Sequence, residues 1–159
     1  MAIIAYTDGS SLGNPGPGGY GAILMDTDKM VKKEISQGYR MTTNNRMELM
    51  AVIVALEKLK KPKTEIRIYT DSKYVCDAVE KKWVFGWEKK GFKGKKNPDL
   101  WQKFLIQFRK HRVSFIWVKG HAGNEFNERA DQLAVAAANS SNLWVDEGFE
   151  KENEKNGLF

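Results

Sequence analysis

One short pattern occurs twice in this chain, and it constrains the fold more than anything else in the sequence. Ile3-Ile4-Ala5-Tyr6-Thr7 runs into Asp8, Gly9 and Ser10, and Ile66-Arg67-Ile68-Tyr69-Thr70 runs into Asp71 and Ser72. Each is an apolar, β-prone run stopped by an acid, the pattern of a buried strand that delivers a carboxylate to a sheet edge. Side by side, two such strands place Asp8 and Asp71 one strand spacing apart, roughly 5 Å. Carboxylates held that close repel each other unless something positive lies between them.

The segments between and after these strands supply the rest of an architecture. Gly13-Asn14-Pro15-Gly16-Pro17-Gly18-Gly19 reads as a tight loop. It is not a phosphate-cradling loop, which needs Lys and Ser or Thr before a helix, whereas Tyr20 here leads into strand-like Gly21–Met25. Met30 to Gly38 reads as a return strand, so strands 1–3 form an antiparallel meander. The N-cap residues Thr42-Thr43-Asn44-Asn45 open a helix whose Leu49, Val52, Ile53, Leu56 and Leu59 share one buried face. Lys60-Lys61-Pro62 ends it, and the echo strand 66–70 returns parallel to the first by a right-handed crossover. Ser72 opens a short helix, Pro98-Asp99 another, Val113 to Val118 is a fifth strand, and Asn124 caps a last helix through Ala137. The expected class is α/β: a five-stranded mixed sheet, the meander followed by parallel strands, with helices on both sides. One domain spans 1–139, and 140–159 is left as a C-terminal tail.

Charge points to a polyanionic partner. The net charge is +6, and seven lysines against one acid, Glu88, lie between Lys81 and Lys96. Trp83, Phe85, Trp87 and Phe92 alternate with these lysines, as in a surface that tracks phosphates and offers rings to sugars or bases. The i, i+4 spacing of Trp83 and Trp87 equally suits core packing. No run of about 18 apolar residues is present to span a bilayer, and no secretory signal opens the sequence. A single cysteine, Cys76, makes a reducing cytoplasm the expected home.

Four acids can converge. Asp8 and Asp71 sit at carboxyl ends of strands, where sites form in parallel sheets. Glu48 lies one turn inside the first long helix, and Asp131 lies early in the last. Each also has an ordinary structural role: a turn for Asp8, a helix cap for Asp71, a capping box with Asn45 for Glu48, the helix dipole for Asp131. Together, oxygen-only ligands without a Cys–His set suit a hard cation such as Mg²⁺ or Mn²⁺. His121, between Gly120 and Gly123, is placed to carry protons near such a site. It lacks the second histidine that a zinc motif of this kind would need.

The blocks TDGSSLGNPGPGGYGAIL, TTNNRMELMAVIVALE, YTDSKYV and WVKGHAGNEFNERADQLA resemble, in order, the signature blocks of the type 1 ribonucleases H. The resemblance runs from about Ile3 to Ala138 and includes the basic protrusion of bacterial members, here 81–97. It implies a ribonuclease H-like fold and an endonuclease that cuts the RNA strand of RNA–DNA hybrids, leaving 5′-phosphate and 3′-hydroxyl ends. Asp8, Glu48, Asp71 and Asp131 match the family's metal-binding carboxylates and His121 its loop histidine. Two Mg²⁺ ions are implied with substrate bound, Mn²⁺ being a possible substitute. The backbone near Gly9, Ser10 and Ser11, with Asn14, Asn44 and Glu48, would face the minor groove, where 2′-hydroxyls mark RNA. Asn14 and Asn45 would lie near the DNA strand, and Thr43 and Asn97 match a DNA-phosphate pocket. Trp83, Trp87, Lys89, Lys90 and Phe92 would hold the DNA further along.

Three positions depart from the family pattern. Lys73 stands where many bacterial members have glutamine in the minor groove, Ser11 replaces a common cysteine, and Met41 occupies the place of a supporting arginine, with Arg40 one position earlier. A monomer without an obligate protein partner is expected. The alternatives are a hybrid-binding module without catalysis and a DNA-acting nuclease of the same fold. Four mutually repelling acids argue against the first, and the TTNN block with the lysine protrusion against the second.

Overall fold

The computed structural model describes residues 3–120 and 123–155. Its centre is one mixed sheet. Strands β1 (Ile3–Ser11), β2 (Gly16–Asp26) and β3 (Val31–Thr42) form the antiparallel meander. Strands β4 (Glu65–Thr70) and β5 (Arg112–Trp117) add to β1 in parallel. The expected five strands become six. Leu143–Trp144, β6, pairs in parallel with Gly38 and Tyr39 at the far edge, giving the order β5-β4-β1-β2-β3-β6. A two-residue strand carries no period that a sequence pattern could reveal.

The repeated strands are adjacent and in register, with Tyr6 opposite Tyr69 and Thr7 opposite Thr70. Their ends differ, however. β1 does not stop at Asp8 but continues to Ser11 along β2, with Asp8 opposite Gly21. Beyond Thr70, by contrast, β4 leaves the ladder. The sheet therefore forks beside Asp8.

Helix α1 (Asn44–Glu57) begins where Thr43 accepts the Arg46 amide on its side chain. Leu49, Val52, Ile53 and Leu56 are buried with Ala5, Ala22, Ile66 and Ile68 of the sheet. Burial extends round to Met47, Ala51 and Ala55, while Leu59, beyond the helix end, is only partly buried. Met47 and Ala51 pack with Tyr20 and Tyr39 of β2 and β3, and a second helical layer closes over the main core. Helix α4 (Pro98–Phe108) packs on α1 and contributes Leu100, Trp101, Phe104 and Leu105 to the same core. Between them in sequence lie α2 (Lys73–Glu80) and α3 (Trp83–Lys89). Helix α5 (Glu125–Ala138) packs on β1, β2 and β3. It approaches so closely that a side chain at Gly21 would strike the Ala130 carbonyl.

The acidic segment after α5 is built into this frame. Helix α6 (Glu147–Lys155) follows β6, and Arg40 of β3 holds Glu150 through two hydrogen bonds of 2.9 and 2.7 Å. At the start of α1, buried Arg46 grips Asp146 with Nε and Nη2, each at 2.8 Å, and Asp99 with Nη1 and Nη2, at 2.9 and 2.7 Å. The Thr42 hydroxyl also donates to Asp146, at 2.7 Å. One guanidinium thus joins α1, α4 and the segment before α6.

Candidate active site

The fork in the sheet produces the site. Asp8 remains in β1, buried, and its Oδ1 accepts the Gly9 amide at 2.8 Å. A Cβ on Gly9 would land on the Met47–Glu48 backbone, so only glycine lets the first turn of α1 lie against β1. That contact brings Glu48 over Asp8. Asp71 follows the last paired residue of β4, just before Ser72 caps α2 by accepting the Val75 amide at 3.2 Å. Oxygens of Asp8, Glu48 and Asp71 lie within 4.8 Å of one another.

Such a cluster resists ionisation. Burial, and then the charge of Asp71, push Asp8 up to about 8, with smaller contributions from Asp131 and Glu48 and an opposing one from the Gly9 hydrogen bond. Burial lifts Glu48 to about 7; a hydrogen bond with the Ser72 side chain opposes this and Asp71 adds to it. A divalent cation would reverse both shifts by supplying the missing charge. Among the described residues the donor set consists of carboxylate oxygens, which fits a hard cation. Asp131, half-buried on α5, stands outside the group of three but close enough for its charge to reach Asp8. His121 lies outside the described residues.

Polar contacts hold the acids in place. Asn44 donates from Nδ2 to Glu48 Oε1 at 3.2 Å, and its amide donates to Asn14 Oδ1 at 3.1 Å. Asn14, Asn44 and Glu48 therefore form one chain from the glycine-rich loop to the cluster. Two supports have no signature in the sequence. Trp117 Nε1 donates to the Asp71 main-chain carbonyl at 3.1 Å. Gly120 sits where a Cβ would lie 2.9 Å from Asp71 Oδ2. An aromatic residue ending an apolar strand reads as core, and only its partial exposure reveals other work.

The expected substrate residues divide into several groups. Gly9, Ser10 and Ser11 continue β1 past Asp8, while Asn14 and Asn45 are exposed beside them. Thr43 caps α1. Asn97, with φ 62°, precedes α4, accepts from Arg46 at 3.3 Å and donates to the Tyr74 hydroxyl at 3.0 Å. Arg46 thus spans the Thr43 and Asn97 positions, whereas Arg40 is engaged with Glu150. Lys73 lies over the Trp117 ring, its Nζ 4.8 Å from the centroid.

On the protrusion, Lys89 and Lys90 are exposed and Trp83 is 49% exposed. The other rings turn inward. Trp87 packs edge-on against Trp101, and Phe92 is buried in the main core. The apolar cavity of about 350 Å³ lined by Ile3, Leu24 and Val31 is at the other end of β1 from the carboxylates.

Known proteins share this fold. A sequence profile of the RNase H family matches residues 1–139. The chain is 49% identical over 155 residues to "Ribonuclease HI" of Synechocystis sp., covering 94% of this chain and 96% of that one. It is 53% identical over 149 residues to "Ribonuclease H" of Desulforamulus reducens, with 91% and 92% covered. Among solved structures it is similar to LC9-RNase H1, described as a type 1 RNase H with the type 2 active-site motif. That match has 34% identity and a TM-score of 0.77 over 99% of this chain and 82% of the other. It is also similar to LC11-RNase H1 in complex with RNA/DNA hybrid, with 30% identity and a TM-score of 0.66 over 86% and 96%.

Proposed function

This chain belongs to the RNase H family, as a bacterial type 1 member, and we propose that it cuts the RNA strand of RNA–DNA hybrids at the cluster of Asp8, Glu48 and Asp71. The observation that carries the site assignment is the convergence of three carboxylates within 4.8 Å, two of them strongly resisting ionisation, at a fork in a sheet. Uncompensated, that arrangement costs stability, which makes a purely structural role a poor explanation.

Asp8, Glu48 and Asp71, with Asp131 completing the shell, are the residues that would hold divalent cations, Mg²⁺ foremost and Mn²⁺ as substitute. When bound, these supply an acidified water and a counter-charge for the departing oxygen. The protein's own groups do the positioning. Gly9 fixes one oxygen of Asp8, Asn44 and Ser72 hold Glu48, and Trp117 holds the backbone of Asp71. Asn14 and Asn44, chained to Glu48, stand where the minor groove would meet the acids, so recognition of the 2′-hydroxyl and placement of the scissile phosphate are linked. Thr43 and Asn97 would take a DNA phosphate, and Trp83, Lys89 and Lys90 the DNA strand beyond it. Trp87 and Phe92 would support that surface from beneath. His121 would assist proton movement or product release.

Among the described residues no helix is long and apolar enough to cross a membrane. Buried, unpaired Cys76 is in keeping with a reducing cytoplasm, and we assign the protein there as a monomer.

The test is cleavage of a labelled hybrid, an RNA duplex and a DNA duplex, each with and without Mg²⁺. Cutting confined to the RNA strand of the hybrid, and only with metal, is the expected result. Cleavage of the DNA duplex, or cleavage without metal, would sink the proposal.

A further inference from the structure

We propose that Trp117 is a positioning residue for Asp71, and that Lys73 clamps its ring in place. Parallel pairing of β4 and β5 ends at Thr70 opposite Trp117, and the Val118 amide donates to the Thr70 carbonyl at 2.9 Å. One residue later the Asp71 carbonyl has passed the last ladder partner. The Trp117 indole N–H, 3.1 Å away, supplies the hydrogen bond that the sheet no longer provides. The ring is 43% exposed, so core packing does not account for an indole at this position.

Lys73, the first residue of α2, closes the arrangement from the other side. Its Nζ lies 4.8 Å from the Trp117 ring centroid, within cation–π range. The turn through Asp71 and Ser72 is therefore held at both ends, by the end of β5 and by the start of α2. Gly120, two residues past Val118, packs against the Asp71 carboxylate. This matters because three carboxylates share this space, and any retreat of Asp71 would open the cluster. A fixed main chain limits that retreat and keeps the cluster ready for metal, as outer-shell groups do for ligating side chains. Lysine at this position thus has a partner within the protein.

The inference rests on the assignment of Asp71 as a metal ligand. It is tested with Trp117→Phe, which keeps a ring for Lys73 and removes the N–H. Mg²⁺ binding to the full chain is measured calorimetrically without substrate, melting is followed in EDTA, and kcat and KM are determined across Mg²⁺ concentrations. The expected result is a Mg²⁺ Kd weakened about tenfold, a metal-free melting temperature close to wild type, and kcat recovered at high Mg²⁺ with KM for the hybrid unchanged. Wild-type Mg²⁺ affinity in the variant overturns the inference. So does a raised hybrid KM at unchanged Mg²⁺ affinity, which would make Trp117 a substrate contact. If the wild-type chain itself neither binds Mg²⁺ nor cuts hybrids, the functional assignment has failed instead, and the two failures are distinguishable.

Discussion

Tyr6 and Tyr69 stack with ring centroids 4.7 Å apart and planes 13° from parallel, on adjacent strands, each two residues before an acid of the cluster. The ring pair and the acid pair are the same sequence repeat, carried side by side through the sheet. A slip of one residue between β1 and β4 would separate the rings and turn Asp71 to the opposite face. The closeness of Asp8 and Asp71 is therefore imposed by strand register.

Neutralising one acid should relieve that imposed repulsion. Asp8→Asn keeps an oxygen for the Gly9 amide but removes the charge. Hybrid cleavage should be lost while the metal-free protein gains about 1–2 kcal/mol, raising its melting temperature by about 2–8 °C. Melting in EDTA checks this, and a marked fall in melting temperature would show that Asp8 is structural.

The pH dependence has a definite sign. Asp8 is raised from 3.8 to about 8 and Glu48 from 4.5 to about 7, so between these limits the folded state holds more protons than the unfolded one. Stability of the metal-free protein from these groups is full below about pH 4 and lost as pH rises through 7 to 8. Mg²⁺ competes with the same protons, so its affinity should climb across pH 6–8. Melts and calorimetry at matched pH values measure both trends, which run in opposite directions.

Arg46 and Asp146 are each 3% exposed, and removing Asp146 leaves the buried Nε edge of Arg46 and the Thr42 hydroxyl without their acceptor, although Asp99 still pairs the outer edge. Asp146→Ala should cost about 3–5 kcal/mol in urea denaturation. Asp99→Ala should cost less, because the Asp99 side chain is 38% exposed and Asp146 continues to pair the guanidinium.

The protrusion should act through charge. Replacing exposed Lys89, Lys90 and Lys93 with alanine should weaken hybrid binding and make its dependence on log salt shallower, by about 0.9 for each phosphate no longer neutralised. Fluorescence anisotropy over a salt series gives the slope. An unchanged slope would place the binding charge elsewhere.

Much of the site is legible in the sequence because it depends on local patterns. The Tyr-Thr-Asp echo declares both strands and their register, and the helical period from Leu49 to Leu56 identifies the face of α1 that meets the sheet. What escapes a sequence reading depends on distant partners. The ion pair of Arg46 and Asp146 joins residues a hundred positions apart, and neither carries a local sign of it. From sequence, 140–159 is left as a C-terminal tail, and in the fold it holds a sheet strand and a helix. Phe92, spaced among lysines, resembles a surface ring, but a backbone with φ 59° turns it into the core. Asp8 reads as the end of a strand because its acid interrupts an apolar run, whereas β2 continues to pair with β1 to Ser11.

The same ion pair gives the protein a timetable. Asp146 is translated a hundred residues after Arg46, an interval of about 5–20 s at ordinary ribosomal speeds. Asp99 emerges sooner, but the Nε edge of the guanidinium has no buried partner until Asp146 follows. Until then the start of α1, on which Glu48 rides, lacks one of the contacts that fix it in the finished fold. The start of α1, which carries Glu48, is thus completed by a residue made late in synthesis.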